Sequence, residues 1–150
     1  MSLFFEEKRV KVGEVYRPLI KARVGVKIAY DNRMAHLIEA GSDIFLMPSR
    51  YEPCGLNQIY SLRYGTVPVV RATGGLEDTI DAPPEPGATG FKFLDYNGKA
   101  LLTAVRQAEL KWKDRKAWTA MMVRGMQKDF SWTVSALEYS ALYTDLADRL

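Results

Sequence analysis

A short apolar run, Asp43-Ile44-Phe45-Leu46-Met47, breaks abruptly into Pro48-Ser49-Arg50-Tyr51-Glu52-Pro53-Cys54-Gly55. This junction restricts the fold more than any other part of the chain. The run has the length and composition of a buried strand. The two prolines and the glycine after it exclude continued regular structure and shape a tight loop. Leu56, Ile59, Tyr60 and Leu62 then recur at helical spacing up to Gly65. The order is strand, tight loop, helix. In open α/β sheets ligands bind outside the carboxyl ends of strands. The first amides of the following helix have no intrahelical partner and can receive an anion.

The remaining elements follow from periodicity and capping chemistry. Val12, Val15, Tyr16, Leu19 and Ile20 predict an amphipathic helix within residues 4–22, starting near Glu14 or earlier. Val24 to Tyr30 reads as a buried strand, and Asp31 or Asn32 caps a helix through Met34, Leu37 and Ile38 that stops at Gly41. Val67-Pro68-Val69-Val70 is the next strand, where Pro68 requires a strand start or an unpaired position. A glycine turn, Thr73-Gly74-Gly75, follows it. Residues 81–90 hold three prolines and two glycines and read as a surface loop within the domain. Phe91 to Leu94 is a last short strand. Asn97, Asp114 and Ser131 each precede an apolar-periodic stretch and cap three terminal helices. Alternating strands and helices predict an α/β fold: one domain with a Rossmann-like parallel sheet, helices on both faces and helices at the carboxyl end.

Composition excludes several classes of function. A net charge of +3 with dispersed cations does not point to nucleic acid. A single cysteine rules out an internal disulfide framework and fits a reducing compartment, hence a cytoplasmic location. No apolar run reaches membrane-spanning length, and no secretory signal is visible. Met1-Ser2-Leu3 reads as an artificial start. Neither G-x-G-x-x-G nor a Walker motif occurs, which argues against dinucleotides and ATPase chemistry. His36, the only histidine, has no cluster to join, so no metal and no cofactor are expected.

The chemistry-bearing residues gather around the two loops. Gly55 permits close backbone approach by a phosphate, and the amides that follow at Leu56 and Asn57 can bind it; a plain glycine turn would explain the same residues. Cys54 is either a small buried filler, the commoner fate of a lone cysteine, or an alkylatable thiol at a helix start. Glu52 is a solvated loop acid, an acid held by neighbouring Arg50, or a ligand-facing carboxylate. Thr73, Gly74 and Gly75 follow a strand end and should line the same sheet edge. Trp112, Trp118 and Trp132 read as packing residues.

Pro48 to Gln58, Arg63-Tyr64-Gly65-Thr66-Val67-Pro68 and Thr73 to Ile80 together resemble the bacterial glycogen synthases and plant starch synthases. The resemblance extends over Tyr30 to Asp43, Asp129-Phe130-Ser131-Trp132 and Tyr139 to Tyr143. It implies the carboxyl-terminal, nucleotide-sugar-binding half of a two-domain GT-B glycosyltransferase that uses ADP-glucose, releases ADP and extends an α-1,4-glucan with retention. Glu52 is implied as the catalytic acid beside the donor sugar. Tyr30 is implied to stack on the base, and Cys54, Gly55, Leu56, Asn57, Thr73, Gly74 and Gly75 to bind the donor. Tyr60 stands where broader retaining transferases place a second acid. The amino-terminal half would hold the glucan, so this chain alone is expected not to elongate glycogen. An unpaired edge at Val24–Tyr30 would favour a homo-oligomer. A non-catalytic nucleotide-sugar or glucan-binding module, or a structural Rossmann-like domain, are the competing readings.

Overall fold

The computed structural model describes residues 29–149. The expected helix within residues 4–22 lies outside them, as does the strand expected from Val24, except for Ala29 and Tyr30, which are not in a strand. The first helix, α1 (Asn32–Ala40), is capped by Asp31, whose carboxylate accepts from the Met34 N–H at 3.0 Å. It ends at Gly41. Then come β1 (Ile44–Met47), α2 (Asn57–Tyr64), β2 (Val67–Arg71), the short α3 (Gly75–Thr79) and β3 (Phe91–Phe93). Three helices close the chain: α4 (Gly98–Lys113), α5 (Arg115–Gln127) and α6 (Trp132–Ala147).

Among the described residues the sheet has three strands in the order β1-β2-β3, all parallel, as the alternation of elements predicts. The register pairs Leu46 with Val69 and Val69 with Phe91. The proline in the central strand is accommodated as its chemistry demands. Val67 donates its N–H to Asp43 on the β1 side at 3.2 Å. The next nitrogen, that of Pro68, therefore faces the other side, where pairing with β3 starts only at Val69.

The two faces of the sheet carry separate cores. Val67, Val69, Phe91 and Phe93 pack against Ala104 and Ala108 of α4 and Trp118 and Met121 of α5. On the other face, Val70 packs with Leu62 of α2, Leu76 of α3 and Ile80. Side chains alternate across a strand, so the unbroken Val67–Val70 run supplies both cores at once. Each fully buried Val, Leu or Ile contributes on the order of 1.5–3 kcal/mol. The alanines of α4 let the helix approach the sheet closely, and Gly125 of α5 does the same against Leu62, 2.8 Å from where a Cβ would stand.

The capping expectations hold at Asn97 and Asp114, which accept from Ala100 and Ala117 N–H groups at 2.9 and 3.1 Å. Ser131 occupies the cap position of α6 but makes no side-chain cap bond. Its N–H instead donates to the Asp129 carboxylate at 2.8 Å, which holds that carboxyl below its ordinary range. The surface-loop reading of residues 81–90 holds only for its middle. Ala88, Thr89 and Gly90 are buried. Thr89 bonds back to Asp81 through its N–H (2.8 Å) and through its hydroxyl, which accepts from the Asp81 N–H (3.2 Å). Arg124 of α5 donates twice to the Ala88 carbonyl, at 3.0 and 2.9 Å. Satisfied backbone groups allow a Pro- and Gly-rich segment to be buried.

The packing reading of the tryptophans survives only in part. Trp118 is in the core, whereas Trp112 is partly exposed with Arg115 4.8 Å over its ring. Trp132 is 87 % exposed and is not a packing residue among the described elements.

Candidate functional site

The carboxyl ends of the three parallel strands point to one edge of the sheet, and the loops leaving them meet there. Residues 48–56 leave β1, residues 72–74 leave β2, and residues 94–97 leave β3. The first two loops are in backbone contact. The Gly75 N–H donates to the Glu52 carbonyl at 3.0 Å. A Cβ on Gly75 would collide with the Cys54 carbonyl oxygen and lie 2.6 Å from its carbon. A Cβ on Gly74 would collide with the Glu52 carbonyl oxygen, and Gly74 also has φ +49°, which L side chains rarely adopt. The paired glycines are therefore the contact that sets the Glu52-Pro53-Cys54 backbone against the start of α3. This is a stronger role than the simple turn that Gly74-Gly75 suggests in the sequence.

Gln58 supports the same loop from below. It is fully buried in the first turn of α2. Its Nε2 donates to the carbonyls of Cys54 and Gly55, each at 3.0 Å, and to the Thr79 hydroxyl at 3.3 Å. Thr79 in turn donates to the Gly75 carbonyl at 2.5 Å. These bonds hold the carbonyls at positions 54 and 55 on a buried side chain, and the start of α2 has no side-chain cap. Gly55 adopts φ +71°, and a Cβ there would strike the Gln58 side chain. Sequence reasoning assigned no role to Gln58. Nothing local in the sequence marks it, because its three acceptors come together only in the folded chain.

Arg71, at the end of β2, spans the neighbouring loops. Its Nη1 donates to the Arg50 carbonyl at 2.6 Å and its Nε to the Leu94 carbonyl at 3.0 Å, with the Tyr96 ring 5.6 Å from the guanidinium. Arg50 does not hold Glu52: among the described residues, no hydrogen bond or ion pair engages the Glu52 carboxylate, which is half-buried. Cys54 is exposed, contrary to the buried-filler reading, with its thiol 3.7 Å from the Gly55 carbonyl. The loop runs across the surface at this point and gives a side chain nowhere to pack.

Glu52, Cys54, Gly55, Gly74 and Gly75 are thus brought together, with Leu56 and Asn57 opening α2 beside them and Thr73, half-buried, opening the second loop. Tyr30 precedes the α1 cap and is 97 % exposed. Tyr60 turns away from the loops and packs on α1, its ring 5.1 Å from that of His36. His36 also shares a hydrogen bond of 3.2 Å with the Tyr64 hydroxyl, in keeping with a structural histidine. No group of histidine, cysteine or carboxylate side chains suited to a metal occurs among the described residues. Among them, no helix is long and apolar enough to cross a membrane.

Among the described residues, the strand-end loops set the uncapped start of α2 near a carboxylate with no hydrogen bond or ion pair, an arrangement that suits binding an anionic leaving group. The family model for glycosyl transferases, group 1, matches residues 19–121, and the chain belongs to that family. Within it, the chain is 61 % identical to a glycogen synthase of Koribacter versatilis over 123 residues, covering 81 % of this chain and 25 % of that protein. It is 60 % identical to a glycogen synthase of Anaeromyxobacter sp. over 126 residues, 83 % of this chain and 26 % of that one. The chain spans about a quarter of the length of these curated relatives. Among solved structures, the catalytic domain of starch synthase IV from Arabidopsis thaliana, bound to ADP and acarbose, superposes with TM-score 0.75 at 34 % identity, over 90 % of this chain and 29 % of that one. A sucrose-phosphate synthase from Thermosynechococcus elongatus superposes with TM-score 0.63 at 25 % identity, over 92 % of this chain and 34 % of that one.

Proposed function

We propose that this chain is the nucleotide-sugar-binding, carboxyl-terminal part of a cytoplasmic retaining glucosyltransferase of the glycogen and starch synthase kind. The donor is ADP-glucose and the acceptor the non-reducing end of an α-1,4-glucan, held by an amino-terminal half. The observation that carries this reading is the backbone contact of Gly74-Gly75 with Glu52–Cys54. It orders a loop in which a carboxylate and free helix amides sit a few residues apart. The ADP in the starch synthase structure supports the choice of nucleotide.

In this reading the amides after Gly55, with Asn57, hold the distal phosphate of the donor. Negative charge grows there as the diphosphate departs. Fixed dipoles aimed at that charge favour the transition state over the ground state. Glu52 hydrogen-bonds the hexose and favours the positive charge building at the anomeric carbon. Tyr60 lies against His36 in this chain, so no second carboxylate faces Glu52 from that position and a paired-carboxylate mechanism of the hydrolase kind is not drawn. Tyr30, fully accessible, stacks on the base.

The test is an NMR titration of ADP with the wild type, Gly55→Val and Glu52→Ala. ADP is expected to shift Tyr30 and Gly55–Gln58, with affinity nearer millimolar than micromolar, about −4 kcal/mol at 1 mM. Gly55→Val weakens it and Glu52→Ala leaves it nearly unchanged. Shifts confined to other regions would refute the reading.

A further inference from the structure

The buried amide of Gln58 is only half used. Its side chain is fully buried, yet its Oε1 has no hydrogen-bond partner among the described residues. A buried acceptor left unpaired is costly, and an apolar side chain of similar volume would avoid that cost. The offsetting gain lies on Nε2, with its acceptors at Cys54, Gly55 and Thr79.

Thr79 sets the direction of that amide. A hydroxyl has a single proton. Thr79 uses it on the Gly75 carbonyl, so it meets Gln58 as an acceptor and selects Nε2 over Oε1. Nε2 then holds the Cys54 and Gly55 carbonyls. In a planar trans peptide the N–H points opposite to the C=O. The N–H groups of Gly55 and Leu56 are therefore aimed away from Gln58, at the start of a helix that no side chain caps. The first backbone bond from that helix comes later, from the Tyr60 N–H to the Leu56 carbonyl at 2.9 Å. The Gly75 N–H, donating to the Glu52 carbonyl, closes a ring through Gly75, Thr79, Gln58 and Cys54. The ring fixes the two outward donors relative to the backbone of Glu52.

We propose that Gln58 and Thr79 are positioning residues, which aim the Gly55 and Leu56 N–H groups at the distal phosphate of a nucleoside diphosphate donor. The inference rests on the proposed function and deepens it. Neither residue touches the donor, and together they give the loop its preference for a diphosphate. A monophosphate lacks the group that these two donors receive.

Titrations of ADP and of AMP, followed by amide NMR shifts, test this on the wild type, Thr79→Val and Thr79→Ser. In the wild type the Gly55 and Leu56 amide protons move with ADP and far less with AMP, and ADP binds about tenfold more tightly. Thr79→Val keeps the volume and removes the hydroxyl. It lowers the preference for ADP over AMP by about fivefold, while the affinity for AMP is unchanged. Thr79→Ser, which keeps the hydroxyl, retains the preference. Loss of a purely structural contact would weaken both nucleotides alike, or neither. If Thr79→Val does not fold, as read by far-UV circular dichroism, Thr79→Ala removes the same hydroxyl with less bulk and carries the same expectation. ADP that shifts Tyr30 and Gly55–Gln58 in every variant, with its preference over AMP unchanged by loss of the hydroxyl, overturns the proposal and leaves the proposed function standing. A wild type whose ADP shifts fall elsewhere, or that binds AMP as tightly as ADP, overturns the phosphate assignment and this proposal with it.

Discussion

Gly75→Ala is the sharpest probe of how the two loops are joined. The added methyl would overlap the Cys54 carbonyl oxygen and stand 2.6 and 2.7 Å from the Cys54 carbonyl carbon and Cα. Ordinary contact needs well over 3 Å, so the loop must retreat from α3 by close to 1 Å. Overpacking against backbone, which cannot rotate away as a side chain can, costs about 1–3 kcal/mol. The retreat also breaks the 3.0 Å bond from the Gly75 N–H to Glu52, worth about 1 kcal/mol. Reduced freedom of the unfolded chain returns about 0.4–1 kcal/mol. The net expectation is a loss of about 2 kcal/mol, read as a lower urea midpoint, or a fall in Tm of roughly 4–8 °C for a domain of this size. Gly87→Ala supplies the control, because a Cβ there meets nothing within 4 Å. It should be neutral or slightly stabilising. Under the proposed function, Gly75→Ala should also weaken ADP binding at least tenfold, because the amides after Cys54 move with the loop. A Gly75→Ala protein with an unchanged midpoint and unchanged ADP titration would show that the loops are not held by this contact.

Three further outcomes follow from particular groups. Gln58→Met keeps the side-chain volume but removes the donors to Cys54, Gly55 and Thr79. It should cost about 2 kcal/mol in urea unfolding and accelerate amide exchange at residues 54–57. Burial pushes the Glu39 carboxyl above its ordinary value of 4.5, with the positive potential of His36 opposing it. A raised folded-state value means that the stability Glu39 contributes is complete below pH 4.5 and declines as pH rises through the folded value. Glu39→Gln should therefore gain on the wild type between pH 4 and pH 7 in paired urea midpoints; parallel curves would contradict this. Lys128 donates to the Thr79 carbonyl at 3.1 Å and pairs with Asp81 at 2.7 Å, partly shielded from water. Lys128→Ala should lower stability by about 1 kcal/mol, and by less at high salt.

The sequence carried the strand, loop and helix around Glu52 because each step is a local rule: an apolar run, two prolines, a left-handed glycine and a helical period. The caps at Asp31, Asn97 and Asp114 were legible for the same reason. What was not legible depends on contacts distant in sequence. Gly74 and Gly75 carry no local mark that distinguishes a turn from a backbone-to-backbone seat for residues 52–54. The burial of Ala88, Thr89 and Gly90 runs against their composition and follows from acceptors and donors supplied by Asp81 and Arg124. Ser131 has the residue type of a cap without its hydrogen bond, and the neighbouring Asp129 accepts from the Ser131 N–H at the entry to α6. Tyr60 could be placed at a family position by sequence, but only its contact with His36 shows which way it faces.

The guanidinium of Arg71 holds one carbonyl from each of two loops that are otherwise separate in the chain. The two loops are consequently a single unit of variation. Inserting one residue between Phe93 and Leu94 would displace the acceptor of Arg71 Nε and leave the guanidinium held by the Arg50 carbonyl alone. The disturbance would reach Arg50, two positions before Glu52, without any change near the carboxylate itself. A graft of the β1 loop into another sheet of this kind should carry the arginine and the Leu94 turn with it.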